Sequence, residues 1–430
     1  MAEQNRNYGT IVVETREQQH TQPAPRTSST GRRICICLLI VCFLIILVFA
    51  YILYVLVPNI FTCFYDLNPL CERWAIVIGP RSPVHHNTTG DSYAVGFSLA
   101  AGYGTAAISF RNGTSITIGR YDGDDAYRKF MAKATSSDAV HPTPPYYCNG
   151  AYADSTRQWA RLWRKKLGKP ASEEIGALAR VLIGLKGPVN KALGDLGPLK
   201  YATIATPYLP ALFNEDLDDI AEYAGFQLIT PFKLSGDSEH KAITDINFSF
   251  CGMRLGNCQS FTNQTVNQEL DVSPESDDEI LSVSYSIDML TAHVSPLGGF
   301  ANYFYAASGI ADPWLGRGAL EMYSSPHEYW TAVGYALVNA TDSYSWRAAR
   351  LSRVVVHSES ATDPDFQRVL RENVTKYQIS KSMPPVSMDS PLYAAALDAA
   401  ELGKRCMLQD DGSSYYTGCV PDLHPKMQGW

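Results

Sequence analysis

Two aspartates one residue apart, Asp122-Gly123-Asp124 with Asp125 beside them, form a D-x-D triplet of the sort that clamps a divalent metal against a sugar-nucleotide diphosphate. The same residues suit a turn entering a helix, because Asp124 opens a helical pattern and an aspartate there caps the first N–H groups. Gly102, Gly104 and Thr105 offer a second chemistry: closely spaced glycines beside a hydroxyl let backbone N–H groups form a small anion nest. Asp216, Asp218 and Asp219 are carboxylates on one short helical segment and are expected to face solvent. A serine-hydrolase elbow is not written here, since no G-x-S-x-G occurs and Ser308-Gly309 lacks the preceding glycine. No C-x-x-C pair exists and none of the nine histidines lies at ligand spacing from a cysteine, so no metal centre is expected.

Trp74 to Ile78, Ser92 to Leu99 and Thr105 to Phe110 read as strands, and Ser115 to Ile118 follows Asn112-Gly113, a hairpin pair whose residues accept positive φ. Helices are expected over Asp124 to Ala134, Ser155 to Leu167 and Ala171 to Leu185, then a strand over Tyr201 to Thr206. In the helix from Asn214 to Phe226, Asn214 supplies the cap, Leu217, Ile220, Ala221 and Ala224 share one face, and Gly225 gives a left-handed stop. Phe366, Val369, Leu370 and Val374 mark a helix after Pro364, and Ser390-Pro391 opens a last one expected to end at Gly403. The basic cluster Arg161, Arg164, Lys165, Lys166 and Lys169 reads as a solvated helix face. Gly236 to Ser276 reads as a polar, looped excursion, and no internal repeat is apparent.

An uninterrupted apolar run from Ile34 to Val57 follows Arg32-Arg33 and is long enough to cross a bilayer as an uncleaved signal anchor. The arginines place residues 1–33, a polar tail expected to be disordered, in the cytosol; residues 58–74 form a juxtamembrane stalk, and the body faces a lumen or the cell exterior. Six N-x-Ser/Thr sequons beyond the run agree: Asn87, Asn112, Asn247, Asn263, Asn339 and Asn373. In an oxidising compartment Cys251/Cys258 and Cys406/Cys419 are natural local disulfides, and either Cys63/Cys71 or Cys71/Cys148 makes a third. One thiol is left over and permits an intermolecular bridge, hence a homodimer. A net charge of −7 argues against nucleic acid as a partner.

Four stretches, in order, resemble the nucleotide-binding domain of the 70-kilodalton heat-shock chaperones, within the actin-like ATPase superfamily, and most of all their divergent fungal relatives. Ala94-Val95-Gly96-Phe97-Ser98-Leu99-Ala100-Ala101-Gly102-Tyr103 looks like the first phosphate hairpin, A-V-G-I-D-L-G-T-T-Y. Tyr201 to Pro207 with the Asn214 helix and Ala224-Gly225-Phe226 is similar to the A-V-V-T-V-P strand and its A-G-L helix. Val354 to Ser360 with the Pro364 helix resembles the adenosine-side strand and G-G-S turn, and Asp389 to Ala400 resembles the closing D-P-x-x-A-x-A-x-G-A-A helix. The resemblance covers residues 75–405 and implies an α/β, bilobal, ribonuclease H-like fold behind the transmembrane helix. Residues 406–430 are then a disulfide loop, with no peptide-binding domain.

The family's chemistry is eroded. The carboxylate of the first hairpin is Ser98, or Gly102 if Gly104-Thr105 takes the Gly-Thr part. The second hairpin, glycine-rich in the family, becomes Ser284-Tyr285-Ser286-Ile287-Asp288-Met289-Leu290, and in the third one glycine is His357 or Ser358 and the next is Glu359. Ser98, Gly102, Gly104, Thr105, Ser284, Ser286, Ser358 and Glu359 therefore line a degenerate cleft. The resemblance then implies a pseudo-ATPase acting as a binding or scaffold module for a protein or glycan, with no cofactor; nucleotide binding without hydrolysis is the rival. The alternative is a lumenal metal-dependent glycosyltransferase using Asp122-Gly123-Asp124.

Overall fold

The computed structural model describes residues 42, 44–48, 93–136, 151–229, 244–252, 278–296, 308–342, 350–377 and 383–408. The chain divides into two compact units, Met1–Arg73 and Trp74–Trp430. In the first, the described residues are helical and exposed. Among the described residues no helix is long and apolar enough to cross a membrane, and most of the expected span, 34–57, lies outside them. So do the expected strand at 74–78, Asn87, Asn263, Cys63, Cys71, Cys148, Cys258 and Cys419.

The second unit is α/β, with two mixed five-stranded sheets. In the first half, β1 (Tyr93–Leu99), β2 (Tyr103–Phe110) and β3 (Ser115–Asp122) form an antiparallel meander. The turn between β2 and β3 is the expected Asn112-Gly113 pair, with Gly113 at φ +86° and Asn112 Oδ1 accepting from Thr114 N at 3.0 Å. Helices α1 (Asp125–Lys133), α2 (Ala151–Lys166) and α3 (Glu173–Leu193) lead to β4 (Tyr201–Ala205), parallel to β1. Then α4 (Asn214–Ala224), β5 (Gln227–Leu228) and α5 (Asp245–Gly252) follow. Gly225 stops α4 at φ +79°, as its position requires, but the N-terminus is held by Asp216, whose Oδ2 accepts from Phe213 N at 3.0 Å, and not by Asn214.

The second half repeats the pattern. β6 (Asp278–Tyr285), β7 (Leu290–Pro296) and β8 (Ser308–Asp312) are an antiparallel meander, two short 3-10 turns and α6 (Pro326–Asp342) follow, and β9 (Arg350–His357) returns parallel to β6. Next come α7 (Pro364–Tyr377), β10 (Val386–Ser387) parallel to β9, and α8 (Ala394–Leu408). The sheet orders, β3-β2-β1-β4-β5 and β8-β7-β6-β9-β10, are the same in sequence and direction. The chain therefore contains a repeat after all. It is written in topology and not in residue identity, because a strand's place depends on apolar pattern and turn position, which many sequences satisfy.

The final helix crosses back. α8 packs on β1, β2 and β4 of the first sheet, and α5 packs against α8 and touches β6, so each half ends in a helix that joins it to the other. Small residues allow the approach: a Cβ at Gly96 would overlap the Ala396 carbonyl and the Ala400 amide nitrogen. Gly403, expected to end the helix, lies inside it, where a side chain would press on Thr203. Polar pins fix the register: Thr203 Oγ1 donates to Ala399 O at 2.6 Å, and buried Lys404 donates to Ser109 Oγ at 3.0 Å while pairing with Glu401 at 2.6 Å. Gly96→Ala should therefore lower stability by about 1–3 kcal/mol, read as a drop in melting temperature, because the added methyl meets backbone that cannot yield. Gly119→Ala on β3, with open space around it, is the control expected to melt like the parent.

Candidate functional site

The two halves meet along a seam formed by the β1–β2 turn, the β6–β7 turn, the segment after β9 and the start of α8. Tyr127 on α1 sets the first turn, donating from its buried hydroxyl to Ala100 O at 2.5 Å and Tyr103 O at 3.1 Å. Ser286 Oγ sets the second by bonding Met289 O at 2.9 Å and Met289 N at 3.0 Å. The third turn needs a left-handed residue, and Ser358 supplies it at φ +82° in place of a glycine. Its amide donates to Pro391 O at 2.8 Å, tying β9 to the approach to α8.

Ser98, Ser284 and Ser358, all expected at the cleft, do come together. With Ala100, Tyr103, Asp245 and His357 they line a cavity of about 10 Å³, and Ser284 and Ser358 hydroxyls are 2.6 Å apart. That volume holds about one water, whereas small-molecule pockets span about 300–1,000 Å³. Glu359 lies at the same seam, where Oε1 accepts from Ile287 N at 2.9 Å. The other expected residues serve different ends. Gly104 and Thr105 sit in the β1–β2 ladder, opposite Leu99 and Ser98, and a side chain at Gly104 would strike Val181 of α3. Ser286 is spent on its own turn. The anion nest expected of Gly102, Gly104 and Thr105 is thus not assembled: a Cβ at Gly102 would overlap the Asp288 carboxylate from the opposite hairpin.

Three further residues meet at the seam in roles that no sequence pattern marks. Met289, on the second half's hairpin, is buried and belongs to the apolar core cluster of the first half, the one built on β1, β2, β4 and α3 side chains. Tyr103 spans the seam, its hydroxyl facing Ser358 and Glu359 and its ring covered by the Arg120 guanidinium at 4.1 Å; burial first, then the Glu359 charge, hold the phenol far above its ordinary value. Asp288 faces Gly102 and Arg128, 3.8 Å away, and burial raises its carboxyl. Met289 was legible only as a bulky residue where a glycine is expected; its insertion across the seam needed the fold.

Asp245 and His357 of the cavity lining belong to a cluster of ionisable side chains from both halves. His293 Nε2 is 3.2 Å from Thr244 Oγ1 and 3.6 Å from Asp245, and His357 Nε2 is 3.2 Å from Ser249 Oγ. Burial, with Asp398 adding repulsion, pushes the Asp245 carboxyl up to about 7 against hydrogen bonds from Ile246 and Ser282. Asp398 on α8 is likewise pushed up to about 7 by burial, opposed by a bond from Ser249. Burial lowers His293 to about 3 and His357 to about 4. The cluster is therefore close to neutral between about pH 4 and 7.

The D-x-D aspartates are occupied otherwise. Asp122 pairs with Arg120 at 2.7 Å, while Asp124 caps α1 through Tyr127 N at 2.8 Å and pairs with Arg180 at 2.6 Å. Both side chains are held by arginines, and among the described residues no group of three His, Cys, Asp or Glu converges on a metal-sized point. Asp216 and Asp219, expected in solvent, are buried; Asp218 is exposed. Of the sequons, Asn112 and Asn339 are exposed on a turn and on α6, while Asn373 Nδ2, the atom that would carry a glycan, donates to Val369 O at 2.8 Å and lies against Gly334. Asn247 and Cys251 lie on α5 and Cys406 on α8, so a helix occupies part of the expected loop at 236–276. Compared with known proteins, the chain matches no family model and no curated sequence.

Two measurements follow from the seam. Met289→Ala empties a site in the opposite half's core and should cost about 2–5 kcal/mol, with faster hydrogen exchange in both hairpins; exchange confined to β6 and β7 would sink the bridging role. The second concerns pH. An unfolded chain releases the Asp245 proton near 3.8, whereas the folded chain keeps it to about 7, so the folded state holds the extra proton between those values and loses stability as pH rises through them. Asp398 acts in the same direction, while the two lowered histidines cost stability as pH falls below 6.5. The melting temperature of Asp245→Asn should gain on the parent's between pH 3.8 and about 7 and keep its lead above; a difference constant with pH would count against this assignment.

Proposed function

We propose that the chain is a membrane-tethered, catalytically inactive member of the actin-like (ribonuclease H-like) ATPase fold that works as a rigid binding or scaffold module. The carrying observation is Met289: a side chain of one half, buried in the core of the other, fills the seam where that fold admits phosphates, and leaves a cavity of about 10 Å³. The duplicated strand order and the exchanged α5 and α8 helices favour the fold; the resemblance in four ordered stretches favours the family. Hydrolysis in that fold requires a carboxylate to hold the metal-bound water and glycines that admit phosphate oxygens. Ser98 replaces the first, and Ser358, Glu359 and Met289 replace the second.

The apolar run at 34–57 supports tethering with residues 1–33 cytosolic and the body in the secretory pathway or outside the plasma membrane. Exposed sequons at Asn112 and Asn339 suit that side. No observation favours the glycosyltransferase reading, because the arginine partners of Asp122 and Asp124 already neutralise the triplet.

The test is a melting curve of the purified chain with and without millimolar ATP or ADP and magnesium, and with sugar nucleotides and manganese. A ligand at 100 times its Kd would stabilise by about 2.7 kcal/mol, and no shift is expected. An ATP shift accompanied by phosphate release would overturn the proposal. A manganese-dependent shift with a sugar nucleotide, abolished in Asp122→Ala and Asp124→Ala, would point to the transferase.

A further inference from the structure

Helix α2 is amphipathic the wrong way round. Three of its basic side chains face the protein: Arg161 and Lys165 both pair with Asp219, whose side chain is 2% exposed, Lys165 reaches Glu222 at 2.7 Å, and Arg157 reaches Glu215 at 2.8 Å. Of the basic cluster expected in solvent, Arg161 and Lys165 are thus on the inner face and Arg164 donates to Pro170 O at 2.8 Å, while Lys166 and Lys169 are exposed as expected. The outer face carries Trp159, Trp163 and, just past the last turn, Leu167, at 65%, 58% and 65% exposure and four residues apart. Spacing of four on a helix places all three in one stripe. Lys166, whose ammonium lies 5.5 Å from the Trp163 ring, and Lys169 are exposed beside it.

A helix normally buries its apolar stripe, and leaving two tryptophans and a leucine in water forgoes several kcal/mol of hydrophobic stabilisation on the order of magnitude expected for large side chains. We infer that this stripe docks on the surface of the chain's own membrane, with the tryptophans and Leu167 in the headgroup boundary and Lys166 and Lys169 against lipid phosphates. Tryptophan and lysine together suit that boundary, where one needs a wet edge and an apolar body and the other pairs with the phosphate that phospholipid headgroups carry on either leaflet. Charge favours it locally, since a chain of net charge −7 presents lysines on this face. The tether favours it too. Residues 58 to 92 span at most about 120 Å when extended, so the bilayer is always within reach and docking is an intramolecular event at high effective concentration. The inference rests on reading residues 34–57 as the anchor.

The full chain is reconstituted into phosphatidylcholine vesicles with and without phosphatidylserine, in plain and dibrominated-acyl forms. Flotation after an alkaline carbonate wash reports the anchor; quenching of tryptophan emission by brominated lipid reports docking. The parent should float and be quenched, more so with phosphatidylserine, and the double variant Trp159→Phe with Trp163→Phe should float equally but lose the quenchable emission of that pair. A floating parent quenched no more than the double variant overturns docking and leaves the anchor standing. A chain that fails to float overturns the anchor, and docking with it. Tryptophans shielded from acrylamide but not quenched by brominated lipid identify a protein surface, such as a second copy, and also overturn it.

Discussion

The contact between α8 and β1 is the constraint on which the remaining architecture depends. Backbone meets backbone there, because Gly96 has no side chain and Ala396, Ala399 and Ala400 have almost none. A helix from the last fifth of the chain thereby forms one layer of the first sheet, and nothing closer in sequence replaces it. Without α8 the face of the first sheet that carries Gly96 and Ala107 would lose the helix that covers it. The seam between halves is set by a close-packed contact that admits little sliding.

With the halves registered in this way, the hairpins at 100–103 and 286–289 are forced into contact. In such a fold a ligand cleft survives only if the opposed turns are bare backbone. Here they carry Tyr103, Asp288 and Met289, and the space goes to side chains. Met289 matters most, since a polar bridge across a wet seam contributes little, whereas a buried thioether removes apolar area from water and ties the halves whatever the ionic strength. Tyr103 and Glu359 add direction to that tie. The Asp245, His293, His357 and Asp398 cluster is the cost of joining two halves through polar sheet ends, and it is tolerated because its carboxyls are raised and its imidazoles lowered toward neutrality.

Most strands and helices were legible because their signals are local. Asn112-Gly113, Asp124 as the α1 cap, Gly225 and Pro364 each fix a backbone conformation or satisfy a helix end regardless of distant context. Three serines of the candidate site were legible by position in ordered motifs. What escaped depended on partners far away in sequence. Gly403 looks like a helix stop, yet Thr203 lies against it and the helix continues. Met289 looks like an obstruction within its own hairpin, while its actual environment is the other half's core. The topological repeat was invisible because the halves share strand order and not side chains.

The inversion of α2 has the same origin and carries the argument one step further. Periodicity alone shows two faces on residues 157–167, one basic and one aromatic, and the usual rule turns the aromatic face inward. The rule fails because α4 presents Glu215, Asp219 and Glu222 to that position, and a buried Asp219 without a cation would be strongly unfavourable. Once Arg161 and Lys165 are committed to Asp219, geometry leaves Trp159 and Trp163 on the outside. An apolar face retained there, at the expense of water contact, is not required by any contact within the described fold. We therefore assign that face to the bilayer surface, on the reading of residues 34–57 as an anchor.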